Sequence, residues 1–155
     1  MTRDERVHDF ERLFREDGPG LWRTIYAFTG GRRDVAEEAV AEAFARAIAR
    51  AGGIRDPLPW IYRTAFRLAA EELRLERRSS GSAPEGVLDP PEVGDLMNAL
   101  RQLSPNQRAA VVLRYEADLP VEQVARRMGT AAPTVRVHLY RARKRLRELL
   151  RDDDE

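Results

Sequence analysis

Apolar residues recur every three or four positions along most of the chain, and no segment alternates apolar and polar residues as a half-buried strand would. The pattern therefore predicts an all-α fold. In the first half it predicts four helical segments: two around a break at Asp17-Gly18-Pro19-Gly20, a third after Gly30-Gly31, and a fourth after a loop at 54–59. The third segment carries a stripe of small and apolar residues suited to close helix packing, formed by Ala36, Val40, Ala43, Phe44 and Ala47.

A segment rich in serine, glycine and proline divides the chain. From Ser79 to Pro91 there are almost no apolar residues, so this stretch cannot bury a core and is predicted to be a flexible linker. We therefore expect two small helical domains, residues 1–78 and residues 92–155, joined by residues 79–91.

The second half contains clear signals for the start and end of helices. Ser104 suits the N-cap of a helix, and Pro105 fits its first turn, where no intrahelical partner exists for a backbone N–H. We expect that helix to end before Pro120, and a short helix closed by Gly129 to precede a long final helix that begins near Ala132. A short helix, a turn and a longer helix are the parts of a helix-turn-helix motif.

Charge is distributed unevenly, although the net charge of the chain is only +1. Between residues 119 and 150 the only acids are Glu122 and Glu148, against eight arginine and lysine residues. The buried side of the final helix is predicted to be Val135, Leu139, Ala142, Leu146 and Leu149. Because an arginine-rich helix fits the DNA major groove, we expect DNA contacts from other faces of this helix: Thr134, Arg136, Val137, His138, Arg141 and Arg145.

A plainer interpretation is that these cations form the solvated face of a terminal helix. We favour the DNA interpretation, because acids are almost absent from the same face and a compact helix pair is predicted there. His138 alone would be an ordinary surface histidine.

Several classes of protein are disfavoured by composition. The chain has no cysteine, and its two histidines lie far apart, so neither a metal site nor any cofactor is predicted. No Gly-rich phosphate loop or nucleophile–base pair is present, and we do not expect an enzyme. No apolar run reaches the roughly 20 residues that a membrane-spanning helix needs, which favours a cytoplasmic protein without membrane insertion.

Two matched blocks of sequence resemble the extracytoplasmic-function (ECF) sigma factors, a subfamily of the sigma-70 type. The later block resembles region 4 of that family, and the earlier one resembles its region 2, in the same order and across a linker of suitable length. The segments that carry the resemblance are residues 34–47, 59–65, 103–108, 121–129, 134–136 and 141–146.

The resemblance implies a sigma factor that binds core RNA polymerase, at its β′ clamp and β flap, and directs transcription initiation. It implies that the final helix reads the −35 promoter element and that region 2 captures the −10 element. It also implies a separate anti-sigma factor as a partner. The residues implied for polymerase binding are Glu37, Glu38, Ala41 and Glu42, and those implied for the −10 element are Trp60, Tyr62, Arg63 and Arg67.

Other interpretations of these residues remain open. The glutamates suit an ordinary exposed acidic face about equally well, and for Trp60 we favour a core position. An alternative function is that of an autonomous helix-turn-helix regulator, which would bind DNA without polymerase. An antagonist that binds sigma factors is less favoured, because it would have no use for a basic helix.

The chain departs from the usual family pattern at four places. Ala41 replaces a glutamine, Phe66-Arg67 replaces an Arg-Asn pair, Pro133 replaces a small residue and His138 replaces an arginine. These differences bear on polymerase contact and on promoter sequence rather than on the fold.

Overall fold

A computed structural model describes residues 2–50, 52–80 and 91–152 of the chain, and these residues form helices and connecting turns without a strand. The predicted all-α fold is confirmed. The described α-helices are α1 (Arg3–Phe28), α2 (Arg33–Ala49), α3 (Pro57–Ser80), α4 (Pro91–Arg101), α5 (Pro105–Val111), α6 (Val121–Met128) and α7 (Ala132–Asp152), with a π-helical segment at Val112–Glu116. None of these helices is long and apolar enough to cross a membrane.

The predicted break at residues 17–20 is wrong, because α1 continues through Pro19. Proline inside a helix loses one backbone hydrogen bond and costs about 3 kcal/mol. Phe10 lies before the proline and Leu21 and Ile25 lie after it, and all three are buried in the same core. Burying each large apolar side chain contributes roughly 1.5–3 kcal/mol, so the shared apolar face outweighs the local cost.

The first half is a bundle of α1, α2 and α3. The predicted small-residue stripe of α2 is buried, which lets α2 pack closely against both neighbours. Arg32, just before α2, donates hydrogen bonds to Glu76 of α3 (2.5 and 2.9 Å) and to Asp34 (2.9 and 3.1 Å). The Arg32 hydrogen bonds lower the pKa of Asp34, so the carboxylate stays charged at neutral pH.

The boundaries of α3 differ from the sequence-based expectation. The helix begins at Pro57 rather than after Pro59, since prolines are tolerated in a first turn whose N–H groups have no intrahelical partner. Ser79 and Ser80 are the last residues of α3, and Pro91 is the first of α4. The rest of the predicted linker lies outside the described residues.

The predicted cap of α5 is confirmed. The Ser104 hydroxyl accepts a hydrogen bond from the backbone N–H of Gln107 (3.2 Å), and Pro105 occupies the first turn. The π-helical segment extends α5, and the chain then turns at Asp118, which has a φ of 54°. Gly129 ends α6 in the left-handed conformation, as predicted.

The two halves pack against each other. Thr24 of α1 is fully buried and donates a hydrogen bond to Glu116 at the end of the π-helical segment (2.9 Å). Arg108 of α5 is 4% exposed, and its Nη1 donates to the carbonyl oxygen of Phe28 at the end of α1 (3.1 Å). Arg101 of α4 donates to the carbonyl oxygen of Gly30. A Cβ atom at Gly30 would collide with Arg101, so glycine permits this close approach.

Candidate nucleic-acid interface

The final helix, α7, is anchored by one apolar face. Val135, Leu139 and Ala142 are buried against α5 and α6, and Leu146 is partly buried beside them. The spacing of these residues confirms the predicted buried side. The opposite side of α7 is turned to solvent and carries the remaining side chains of the helix.

Most of the predicted reader residues lie on the solvent side of α7. Thr134, Arg136, Val137, Arg141 and Arg145 are exposed, whereas His138 is half-buried at the edge of the packed face. The helix therefore presents cations over several turns of one continuous surface. That arrangement suits the walls and floor of a major groove.

Two cations of α7 are held by neighbouring side chains. Arg136 forms an ion pair with Glu122 of α6 (3.5 Å), and both side chains are exposed. Arg143 donates a hydrogen bond to the hydroxyl oxygen of Tyr115 (2.8 Å). Contacts of this kind orient long side chains, although exposed ion pairs add little stability.

The remaining predicted arginines differ in whether they contact another side chain. Arg145 pairs with Glu148 one turn later (3.6 Å). Arg141 has no ion pair or hydrogen bond to any side chain in the described part of the chain. Among the predicted readers, Arg141 is therefore ready to bind a phosphate or a guanine without first breaking a contact.

Tyr140 was missed by the sequence analysis. Its side chain is 62% exposed, and it lies on the same outward ridge as Val137, which is 46% exposed. Solvent-exposed apolar residues beside arginines suit contact with thymine methyl groups. The available signal was helical spacing: Tyr140 falls one residue after buried Leu139, and three residues after Val137, on the face opposite Ala142.

The residues predicted for the −10 element lie along the first part of α3, but α6 covers part of them. Arg67 is exposed. Arg63 is half-buried, and its Nη1 donates to the carbonyl oxygen of Arg126 in α6 (3.4 Å). Trp60 is partly buried against the core and lies 5.6 Å from the guanidinium of Arg50, in line with the core position favoured for it.

Tyr62 departs from the sequence-based expectation, because it is buried and only 6% exposed. The guanidinium of Arg127 in α6 stacks over its ring at 4.4 Å, a cation–π contact between the two halves. Burial raises the pKa of the Tyr62 hydroxyl. In this arrangement its ring is inaccessible to DNA, because α6 lies against it.

Gly129 allows α6 to approach α3 closely. Its φ is 71°, and a Cβ atom there would lie 2.5 Å from Cδ of Arg63. The same glycine therefore serves the turn of the helix-turn-helix motif and the contact between the halves. Arg126 adds an ion pair across this contact, to Asp56 before α3 (2.5 Å).

The residues predicted for polymerase binding share one face of α2. Glu37, Glu38, Ala41 and Glu42 are all exposed, on the side opposite the buried stripe. Glu42 accepts a hydrogen bond from Arg46 (2.9 Å). This acidic face is available for a basic partner. No group of His, Cys, Asp and Glu among the described residues is arranged to hold a metal ion.

Comparison with known proteins identifies the family of the chain. Residues 94–146 match the family described as Sigma-70, region 4. The sigma-E factor of RNA polymerase from Streptomyces avermitilis is 32% identical over 139 residues, which are 89% of this chain and 73% of the relative. The chain belongs to the ECF sigma factors.

Other relatives of this sigma factor have similar names. The ECF RNA polymerase sigma factor BldN of Streptomyces coelicolor is 30% identical, and the match spans 93% of this chain but only 61% of BldN. The sigma factor SigV of Bacillus subtilis is 29% identical, over 86% of each chain.

Solved structures support the fold of this sigma factor. The sigma factor RpoE of Bartonella quintana, in complex with the anti-sigma factor NepR, aligns with a TM-score of 0.70 and 23% identity, covering 92% of this chain and 97% of RpoE. CnrH, in complex with the cytosolic domain of CnrY, aligns with a TM-score of 0.74 and 20% identity, covering 97% and 93%.

Proposed function

We propose that this chain binds core RNA polymerase and directs it to promoters, with α7 as the helix that reads the −35 element. The observation that carries the proposal is the outward face of α7, where Arg141 forms no ion pair with any described residue and Val137 and Tyr140 are exposed beside it. The arginines suit guanine edges and phosphates, and the two apolar side chains suit thymine methyl groups.

Residues 1–78 are proposed to form region 2, and residues 92–155 to form region 4. In region 2, the acidic face of α2 at Glu37, Glu38, Ala41 and Glu42 is the proposed contact with the β′ clamp, supported by its exposure and its charge. In region 4, the β flap is the proposed second contact on the polymerase.

Capture of the −10 element is proposed for Trp60, Tyr62, Arg63 and Arg67. These residues follow one another along α3 and combine aromatic rings with cations, which suits an unstacked strand of DNA. Because Tyr62 and Arg63 are covered by α6, this role requires the two halves to separate.

A separate anti-sigma factor is the proposed inhibitor. RpoE, which has the same fold, forms a complex with the anti-sigma factor NepR, and CnrH, which also has this fold, forms a complex with the cytosolic domain of CnrY. We propose that the chain acts in the cytoplasm. In this proposal it needs no catalytic site or cofactor of its own, because the polymerase catalyses RNA synthesis.

The test is gel filtration of the full chain with bacterial core RNA polymerase, followed by run-off transcription from a pool of upstream sequences. Co-elution together with new start sites is the expected result. A matched variant, Glu38→Lys with Glu42→Lys, should lose co-elution because it reverses the charge of the α2 face. Specific binding of the free chain to duplex DNA without co-elution would instead indicate an autonomous regulator.

A further inference from the structure

A cavity of about 560 Å³ lies between the two halves, alongside the C-terminal part of α3. Phe28, Leu73 and Pro105 contribute apolar surface to its lining. Arg74, Arg77 and Arg108 also line it, and Glu71 is the single acid among the described residues that do so. The cavity therefore joins an apolar wall to an excess of positive charge.

The charge of Arg108 is not neutralised by any carboxylate in the described part of the chain. Both of its Nη atoms donate to backbone carbonyl oxygens, those of Phe28, Arg101 and Leu103 (3.1–3.2 Å). Its Nε is buried and has no hydrogen-bond acceptor among the described residues. A buried donor without an acceptor costs about 1–3 kcal/mol, so the packed fold keeps a poorly compensated positive charge beside the cavity.

Nearby cations increase the electrostatic strain. Burial, together with the charges of Arg77 and Arg101, lowers the pKa of Arg108 to about 10. The side chain remains charged at neutral pH. Arg74 and Arg77 are exposed on the same wall and form no ion pair within the described residues. An anion between these groups would relieve their mutual repulsion.

We propose that this cavity binds a small organic phosphate. Arg74 and Arg77, three residues apart on α3, contact the phosphate group, because the guanidinium fork matches phosphate oxygens in geometry and charge. Arg108 adds positive potential from the opposite half of the chain. The ring or alkyl body of the ligand packs against Phe28, Leu73 and Pro105. This site is separate from the promoter-reading face of α7, and the proposal does not depend on the role of that face.

Binding of the ligand should favour the packed arrangement of the two halves. Because α3 and α5 belong to different halves, a molecule that contacts both binds only while the halves are packed. Binding therefore shifts the population toward the packed arrangement.

The test is isothermal titration calorimetry of the full chain with ATP, at constant ionic strength set by KCl. We expect saturable binding at one site. Arg74→Gln with Arg77→Gln should weaken it at least about tenfold. The matched control is Arg12→Gln with Arg15→Gln, which removes the same charge at the same spacing from the exposed surface of α1 and should leave the affinity unchanged.

A second variant should change the affinity for ATP in the opposite direction. Glu71→Gln removes the acid from the cavity and should raise ATP affinity severalfold, a gain that misfolding cannot produce. Inorganic pyrophosphate should bind more weakly than ATP, because it lacks a body for the apolar wall.

Four outcomes would overturn the proposal. Absence of saturable heat up to about 5 mM ATP would mean that there is no site of useful affinity. Equal losses in the two arginine double variants would indicate diffuse attraction to a basic surface. Pyrophosphate binding as tightly as ATP would exclude a role for the apolar wall. The fourth outcome is that a single-stranded oligonucleotide binds in a manner that requires Arg74 and Arg77 while ATP does not bind at all. That result would assign these arginines to contact with a nucleic-acid backbone.

Discussion

Arginines along α7 are alike in sequence but not in their surroundings. Arg136 and Arg145 are paired with Glu122 and Glu148, so DNA binding must first exchange an existing contact. Arg141 has no such partner in the described part of the chain. Breaking an exposed ion pair costs little, about 0–1 kcal/mol. Because Arg141 avoids even this cost, we expect it to contribute most to the free energy of DNA binding.

Arg141→Ala should therefore weaken binding to a duplex that carries the −35 element, by about 1–3 kcal/mol if Arg141 contacts a base. If it contacts a phosphate instead, the loss should be the same for all sequences, and the dependence of affinity on salt should become shallower. Fluorescence anisotropy of the chain with labelled promoter DNA measures both quantities. Arg12→Ala, on α1, is the control. An unchanged affinity for Arg141→Ala would remove it from the reading surface.

Tyr140 gives a prediction about methyl groups. Tyr140→Ala should reduce affinity for the −35 duplex by about 1 kcal/mol, and Tyr140→Phe should change it little, because the ring rather than the hydroxyl makes the contact. Replacing thymine by uracil in the duplex removes the methyl group and should lower the affinity of the natural chain but not that of Tyr140→Ala. Equal losses in both proteins would assign the methyl contact to another residue.

Arg108 lies outside the proposed DNA-binding face of α7, and its surroundings could not be predicted from nearby residues. In the sequence, Arg108 stands one turn after the cap of α5 at Ser104. The fold buries it, where it stacks 5.1 Å from the ring centre of Phe28 and donates to three carbonyl oxygens. Its surroundings come from both halves of the chain, and local sequence patterns contain no such information.

Among the helices, Gly20 inside α1 and Gly129 at the end of α6 have opposite conformational requirements. Gly20 lies inside α1, and a Cβ atom there would meet only the far end of Arg23, at 3.8 Å. Gly129 closes α6 at positive φ, against Arg63. The same substitution should therefore have opposite effects at the two positions.

Gly20→Ala should stabilise the protein by about 0.5–1 kcal/mol, because alanine loses less backbone entropy in a helix. Gly129→Ala should destabilise it by about 1–2 kcal/mol through backbone strain, with a further loss from the collision with Arg63. Chemical denaturation followed by circular dichroism measures both changes. Stabilisation by Gly129→Ala would contradict the left-handed turn and its close contact with α3.

Helix α1 shows that core packing can decide whether a helix continues past a proline. The Gly-Pro-Gly sequence around Pro19 favours a turn locally, and that preference predicted two helices. The apolar residues on both sides keep the same helical phase, and their burial in one core favours a single helix. Tertiary packing overrides local propensity in this case.

At the scale of the whole molecule, the halves are packed through contacts that use candidate DNA-binding groups. Tyr62 lies under Arg127, and Arg63 is bound to the backbone of Arg126. DNA cannot reach these α3 residues while α6 covers them. Promoter capture by α3 and packing of the halves are therefore mutually exclusive.

Core polymerase and promoter DNA should accordingly separate the halves. Because the chain has no cysteine, Glu16→Cys and Arg147→Cys provide unique sites for two fluorophores on exposed positions of α1 and α7. Energy transfer should be high for the free chain and fall when polymerase and promoter are added. Arg127→Ala should lower the transfer of the free chain, because the cation–π contact contributes roughly 0.5–2 kcal/mol. Low transfer in the free labelled chain that retains Arg127 would contradict the packed arrangement.

The sequence by itself determined the helical class, the buried face of α7, the cap at Ser104, the turn at Gly129 and the acidic face of α2. Each of these depends on residues within a few turns of one another, where helical periodicity and cap chemistry act. The tertiary structure alone decided the continuity of α1, the burial of Tyr62 and Arg108, and the arginine-lined cavity between the halves. These features depend on contacts between residues far apart in the chain, such as Phe28 with Arg108, and only the packing of the helices brings such residues together.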